Sequence, residues 1–160
     1  MTATARKILL AGDLTYYEKL KSLCAAQDIW DKSYPDLLGQ CGKKLHYLGY
    51  MEILSKENEC ALLLEQVKKH MKQVYLYGKL LVKEYPDDVR SVFTTQIAKE
   101  AEAAYGRDDY RVVCSHISCF SEAGYKADAA EMIAEYKLKY KRKPAFVDEL
   151  KNIGGQVKCT

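Results

Sequence analysis

Along almost the whole of this chain, apolar residues recur at spacings of three and four, and strict apolar/polar alternation is nearly absent. A period near 3.6 lines such residues along one face of an α-helix, whereas a half-buried strand needs a period of two. This feature restricts the fold to packed helices. The composition agrees, because 9 Gly and 3 Pro in 160 residues leave little material for the tight turns of a β-sandwich. With 48% hydrophobic and 29% charged residues the chain is no disordered polyelectrolyte. At this length about two-thirds of the unfolded surface can be buried.

The pattern breaks into segments. Thr15 and Glu18 have capping-box spacing and predict the start of a first long helix through about Ala26. Trp30, Leu37 and Leu38 lead through Leu45 and Leu48 to Ile53 and Leu54, with Gly39, Gly42 and Gly49 blurring the boundaries. Ser55 can cap a helix whose stripe is Cys60, Leu63, Leu64, Val67 and Met71, and a second stripe runs Val74, Tyr77, Gly78, Leu81 and Tyr85. Pro86 suits a first helical turn, with Asp87 and Asp88 beside the positive end of the dipole. The buried face that follows is Val89, Val92, Phe93, Ile97, Ala101 and Ala104. Gly106 breaks the pattern and Asp108 or Asp109 restarts it, with Tyr110, Val113, Cys114, Ile117, Phe120 and Ser121 on one side and Gly124 as a left-handed cap. Ala129, Met132, Ile133, Tyr136 and Tyr140 form the next stripe, and Pro144 opens a last helix ended by Gly154 and Gly155.

The expected fold is therefore all-α: one helical domain over residues 1–160, of stacked antiparallel hairpins with roughly seven to nine helices and very short loops, or a short solenoid. Residues 8–20 and 53–64 share an apolar pair, a polar turn and a new helix, but no tetratricopeptide or HEAT register fits. No apolar run approaches 18 residues, so no membrane partner is expected. Six cysteines (Cys24, Cys41, Cys60, Cys114, Cys119 and Cys159) fall largely on apolar helix faces, and the apolar run after Arg6 and Lys7 is too short for a signal peptide. A reducing, cytoplasmic setting is the expectation.

The order of several motifs resembles a known family. Tyr17-x-x-Leu20-Lys21, Trp30, Leu37 with Leu38 and an Ile53-Leu54 step precede the helix over residues 62–70. Residues 110–120 and the tail KYKRKPAFVDEL over residues 139–150 follow. Over about residues 15–153 the chain resembles the α-helical C-terminal region of bacterial proteins that carry a SWIM-type zinc finger. The finger itself is Cys-x-Cys followed by Cys-x-His, and no Cys-x-Cys exists here. The resemblance thus implies only a helical accessory region, without the zinc or nucleic-acid roles of the finger.

Catalytic and metal readings fail on spacing. Cys114, His116 and Cys119 offer three ligand types in six residues. On a helix, however, His116 lies about 200° and Cys119 about 140° from Cys114, and tetrahedral zinc needs a fourth ligand. Only His46, His70 and His116 are available as bases, and nothing pairs one with a cysteine. Asp87 with Asp88, and Asp108 with Asp109, read as helix starts, and no phosphate loop or nucleophile elbow appears. No enzyme, metal or cofactor is expected.

Charge is more informative. Residues 1–125 carry 17 basic and 17 acidic side chains, so the net +3 comes from residues 126–160 with 8 and 5. Lys137, Lys139, Lys141, Arg142 and Lys143 alternate there with Tyr136 and Tyr140. Lysines neutralise phosphates and tyrosines stack on bases. Equally, the tyrosines match a core stripe and the charges a solvated helix end. The 13 Tyr against 3 Phe and 1 Trp suit either thin helical layers or a binding surface. The expected function is a non-catalytic protein-interaction module, acting within a nucleic-acid-handling assembly and using this basic face. Direct nucleic-acid binding and a small phage or mobile-element inhibitor of a nucleoprotein enzyme are the alternatives. A homodimer through Val-, Leu- and Tyr-rich faces is a further option.

Overall fold

The computed structural model describes residues 1–157, and among them all regular structure is helical. The α-helices are α1 (Thr2–Leu10), α2 (Thr15–Ala26), α3 (Trp30–Lys44), α4 (Tyr47–Lys56), α5 (Cys60–Lys69), α6 (Val74–Leu81), α7 (Pro86–Ala103), α8 (Arg107–Glu122), α9 (Lys126–Lys139) and α10 (Pro144–Val157). A 3-10 turn, Met71–Gln73, precedes α6. Ten helices exceed the expected number for two reasons. Residues before Thr15 form α1, and the stretch from Trp30 to Leu54 is two helices.

The break between α3 and α4 falls at Leu45, whose ψ of 151° is extended, and at His46, whose ring nitrogen accepts weakly from the Leu48 N–H at 3.4 Å. The glycines are not the breakers. Gly42 and Gly49 lie inside helices, where a β-carbon would sit 3.1 Å from the Tyr50 ring and 3.3 Å from Leu14. They permit close packing instead.

Two expected caps are replaced by neighbours. Asp13, not Thr15, caps α2: its Oδ1 accepts from the Thr15 N–H at 3.1 Å and from the Thr15 hydroxyl at 2.5 Å. Ser55 lies within α4, and the chain reverses at Asn58 before α5 begins. Helices α1, α2 and α4 all end in the same way. The N–H groups of Asp13, Ile29 and Glu59 reach back five residues to the carbonyls of Ile8, Cys24 and Leu54, with Gly12, Asp28 and Asn58 at positive φ. This shared Schellman turn is what the loose likeness of residues 8–20 and 53–64 reflects. Downstream, Pro86 and Pro144 open α7 and α10, Gly106 breaks α7 from α8, and Gly124 has φ +113° after α8. The last helix runs through Gly154 and Gly155 to Val157 rather than ending at them.

The helices group into two compact units, residues 1–66 and residues 67 onward. Apolar stripes reveal which face of a helix is buried, not which helices share a core. In the first unit α1, α2 and α3 pack on one another and α3 on α4. Their core holds Leu9, Tyr17, Leu20, Cys24, Leu37, Cys41 and Ile53, with Trp30 edge-on to the Tyr17 ring. In the second unit each helix from α6 to α10 packs on its successor, and α8 also touches α6 and α10. Phe93, Phe120 and Tyr125 form an aromatic cluster inside it, and Tyr110, Phe146 and Tyr140 form another. Short connections between packed neighbours make these helical hairpins. No helix among the described residues is long and apolar enough to cross a membrane.

Candidate functional site

The C-terminal half of α9 and the turn after it divide the basic run into buried and exposed parts. Tyr136 and Tyr140 are buried, at 90° to each other, with Tyr140 against Phe146. Burial pushes the Tyr136 phenol above its ordinary range. Neither ring presents a face to a ligand.

The cations differ just as sharply. Lys143 is half-buried and donates from Nζ to the Ala104 carbonyl at 3.2 Å, at the C-terminal end of α7. The same ammonium lies 5.7 and 5.3 Å from the ring centres of Tyr110 and Tyr140. It is a helix-end cap and a cation–π anchor. Lys139 pairs with Glu102 at 3.4 Å, and that hydrogen bond, helped by Tyr140, raises its pKa. Half-buried Lys137 runs alongside Gly154. Lys141 and Arg142 are exposed and their side chains make no ion pair or hydrogen bond among the described residues. Beside them Leu138 is 76% exposed. Of the seven residues from Tyr136 to Lys143 expected to make contact, Lys141 and Arg142 are the two exposed cations with no ion pair or hydrogen bond among the described residues.

The Cys114, His116 and Cys119 cluster diverges as helical geometry requires. Cys114 is buried, and burial lifts its thiol to about 12. Cys119 donates from Sγ to the Tyr75 carbonyl at 3.5 Å. His116 turns the other way, placing Nδ1 at 2.5 Å from Glu100 Oε2. The same oxygen accepts from the Tyr75 hydroxyl at 3.0 Å, and Gln96 donates to Oε1 at 2.8 Å. Tyr75 and His116 stack with ring centres 3.7 Å apart and 13° between planes. Burial, then Glu100, raises the Tyr75 phenol. Cys24 and Cys41 also carry free thiols, burial pushing Cys41 up to about 11, while Cys159 lies outside the described residues. No three His, Cys, Asp or Glu side chains among the described residues are placed to share a metal ion.

This network floors a cleft that spacing alone does not reveal. The cleft measures about 390 Å³ and is lined by Lys72, Tyr75, Glu100, Asp109, Val112 and His116, with Ala103, Ala104 and Val113 behind them. Lys72 comes from the 3-10 turn, Tyr75 from α6, Glu100 from α7, and Asp109, Val112 and His116 from α8. Four elements build it, spread over more than forty residues of sequence from Lys72 to His116, which is why no local motif could signal it. Val112 of this lining is 51% exposed, and Tyr105, which follows Ala104 of the lining, is 91% exposed. The Tyr105 backbone is held nonetheless: its N–H donates to Asp109 Oδ2 at 2.8 Å, and Gly106 follows with φ +99°.

Two other cavities are less developed. One, of about 210 Å³ in the first unit, has an apolar lining of Leu20, Cys24, Ile29 and Leu37, with Arg6 at its edge already paired to Asp36. The other, of about 310 Å³, is a groove between α7 and α9 edged by Asp128, Glu131 and Glu135. Asp87 and Asp88, in the first turn of α7, pair with Arg90 and Lys68. No family model, curated protein or solved structure matches this chain.

Proposed function

We propose that the chain is a non-catalytic helical module that binds another protein, one presenting acidic groups beside an apolar residue, through the turn that follows α9. The observation that carries this reading is the division of the basic run: Tyr136 and Tyr140 are in the core, while Lys141 and Arg142 stand free beside exposed Leu138. An apolar side chain beside two cations suits a protein surface, whose interface core is apolar and whose rim is charged. The resemblance read over residues 15–153, which implies a helical accessory region and no more, fits a non-catalytic role.

The alternative, direct nucleic-acid binding, is favoured by the local positive charge but opposed by its magnitude. Tight non-specific binders contact about 6–10 phosphates, and the salt slope is about 0.9 per phosphate neutralised. Two free cations predict a slope of only about −2 on a log–log plot. Titration with short single- and double-stranded nucleic acids from low to physiological salt tests this, alongside an acidic peptide containing leucines. The expected result is peptide binding that Lys141→Glu with Arg142→Glu abolishes, and nucleic-acid binding that is negligible at physiological salt. Micromolar nucleic-acid binding with a steep salt slope, lost in the same variant, would replace the protein reading with the nucleic-acid one.

A further inference from the structure

We infer that two copies of this chain pair through the cleft between α7 and α8, with Tyr105 of each copy seated in the cleft of the other. The surface carries a projecting group and a hollow side by side. Tyr105 offers a ring 91% exposed on a backbone pinned by Asp109 and Gly106. The adjoining cleft, at about 390 Å³, falls in the range of small-ligand pockets and holds a phenol ring with room to spare. Its apolar walls are Ala103, Val112 and Val113, and its polar groups are Lys72, Asp109 and His116.

A foreign partner would need only the hollow. The presence of both shapes on one face is what a two-fold contact requires, because each feature must meet its complement in an identical copy. The charges obey the same rule. Lys72 is exposed and has no ion pair among the described residues, and the exposed Asp109 carboxylate has capacity beyond the Tyr105 N–H. A two-fold axis between them pairs each Lys72 with the partner copy's Asp109, twice. The incoming tyrosine hydroxyl, which needs a partner once buried, meets His116 Nε2. That nitrogen is the one left over, since Nδ1 is engaged by Glu100.

Two tyrosines bury about 150–250 Å² each, so with the cleft walls the contact lies below about 1,200 Å², the size of transient assemblies. Sedimentation equilibrium of the full chain, from about ten micromolar to about one millimolar, is the measurement, because weak dimers populate in that range. The mass is expected to rise toward twice the monomer value. Tyr105→Ala, which leaves an exposed site and an unchanged helical signal, is expected to weaken pairing by on the order of 30-fold. Lys72→Glu and Asp109→Lys should each weaken it, and an equal mixture of those two variants should recover part of it, because every charge contact across the mixed pair is again between opposite charges while the Asp109→Lys copy lacks the acceptor for its Tyr105 N–H. A chain that stays monomeric throughout, a dimer indifferent to Tyr105→Ala, or a mixture without recovery overturns the proposal. Lys141→Glu with Arg142→Glu leaves the pairing intact, so failure of the partner reading at the α9 turn is read separately.

Discussion

Tyr140 and Tyr125 show how the same side chain can be an asset or a liability. The Tyr125 hydroxyl donates to the Pro86 carbonyl at 2.5 Å. The Tyr140 hydroxyl is buried with no hydrogen bond of normal geometry among the described residues, although it helps to raise the Lys139 pKa; Lys139 and Lys143 lie over its ring, 5.4 and 5.3 Å from the centre. A satisfied buried hydroxyl contributes about 1 kcal/mol, and an orphaned one costs a comparable desolvation penalty. Tyr125→Phe should therefore lower stability by about 1 kcal/mol or more, since the Pro86 carbonyl loses its donor. Tyr140→Phe should be neutral or stabilise by up to about 1 kcal/mol. Urea unfolding of the two variants decides the matter, and a clear loss in Tyr140→Phe would reveal a hydrogen bond at that hydroxyl. Tyr17 is a parallel case in the first unit: its hydroxyl makes no bond of normal geometry, although burial and the nearby Glu57 carboxylate raise its pKa.

At the scale of the element, packing overrides helix propensity. Gly78 lies in α6, where alanine would be preferred by about 1 kcal/mol on propensity alone. A β-carbon there would stand 2.7 and 2.9 Å from atoms of the Phe93 ring, which is fully buried between α6 and α7. Overpacking of a tight core typically costs about 1–3 kcal/mol. Gly78→Ala should accordingly destabilise by about 1–2 kcal/mol net, visible as a lowered urea midpoint at unchanged slope. A stabilised variant would mean that Phe93 can move aside. Periodicity made the helix faces legible: Val89, Val92, Phe93, Ile97, Ala101 and Ala104, and Tyr110, Val113, Cys114, Ile117, Phe120 and Ser121, are buried as their spacing requires. The starts were less so, because Asp13 and the left-handed turn at Asn58 set the boundaries a few residues away from Thr15 and Ser55, which merely match a local template. The α9 run was legible as charge but not as a site. Which of Tyr136, Lys139 and Lys143 turns inward depends on Glu102, Ala104 and Phe146 in other helices. The cleft was not legible at all, since α6, α7 and α8 each contribute a fragment.

At the scale of the whole molecule, buried neutral acids set the alkaline limit. Tyr17 and Cys41 in the first unit, and Tyr75, Tyr136 and Cys114 in the second, all have pKa values raised chiefly by burial. A raised folded-state value means stability that is complete below the ordinary pKa, here 9.0 for the thiols and 10.0 for the phenols, and is lost as pH climbs through the folded value. The cysteines place that loss at about pH 11 to 12. Helical circular dichroism should hold to about pH 10 and then fall cooperatively, with part of the phenolate absorbance appearing only as the helices melt. Titration of all the tyrosines near pH 10 with intact helices would contradict the burial. A last consequence concerns how this sequence can drift. Glu100 receives Tyr75, Gln96 and His116 on its two oxygens, so loss of Glu100 strands three groups, whereas loss of any one of the other three leaves Glu100 two partners. Glu100 is therefore the member of the quartet with the least freedom to change, while each of its three partners can be exchanged without stranding the other two.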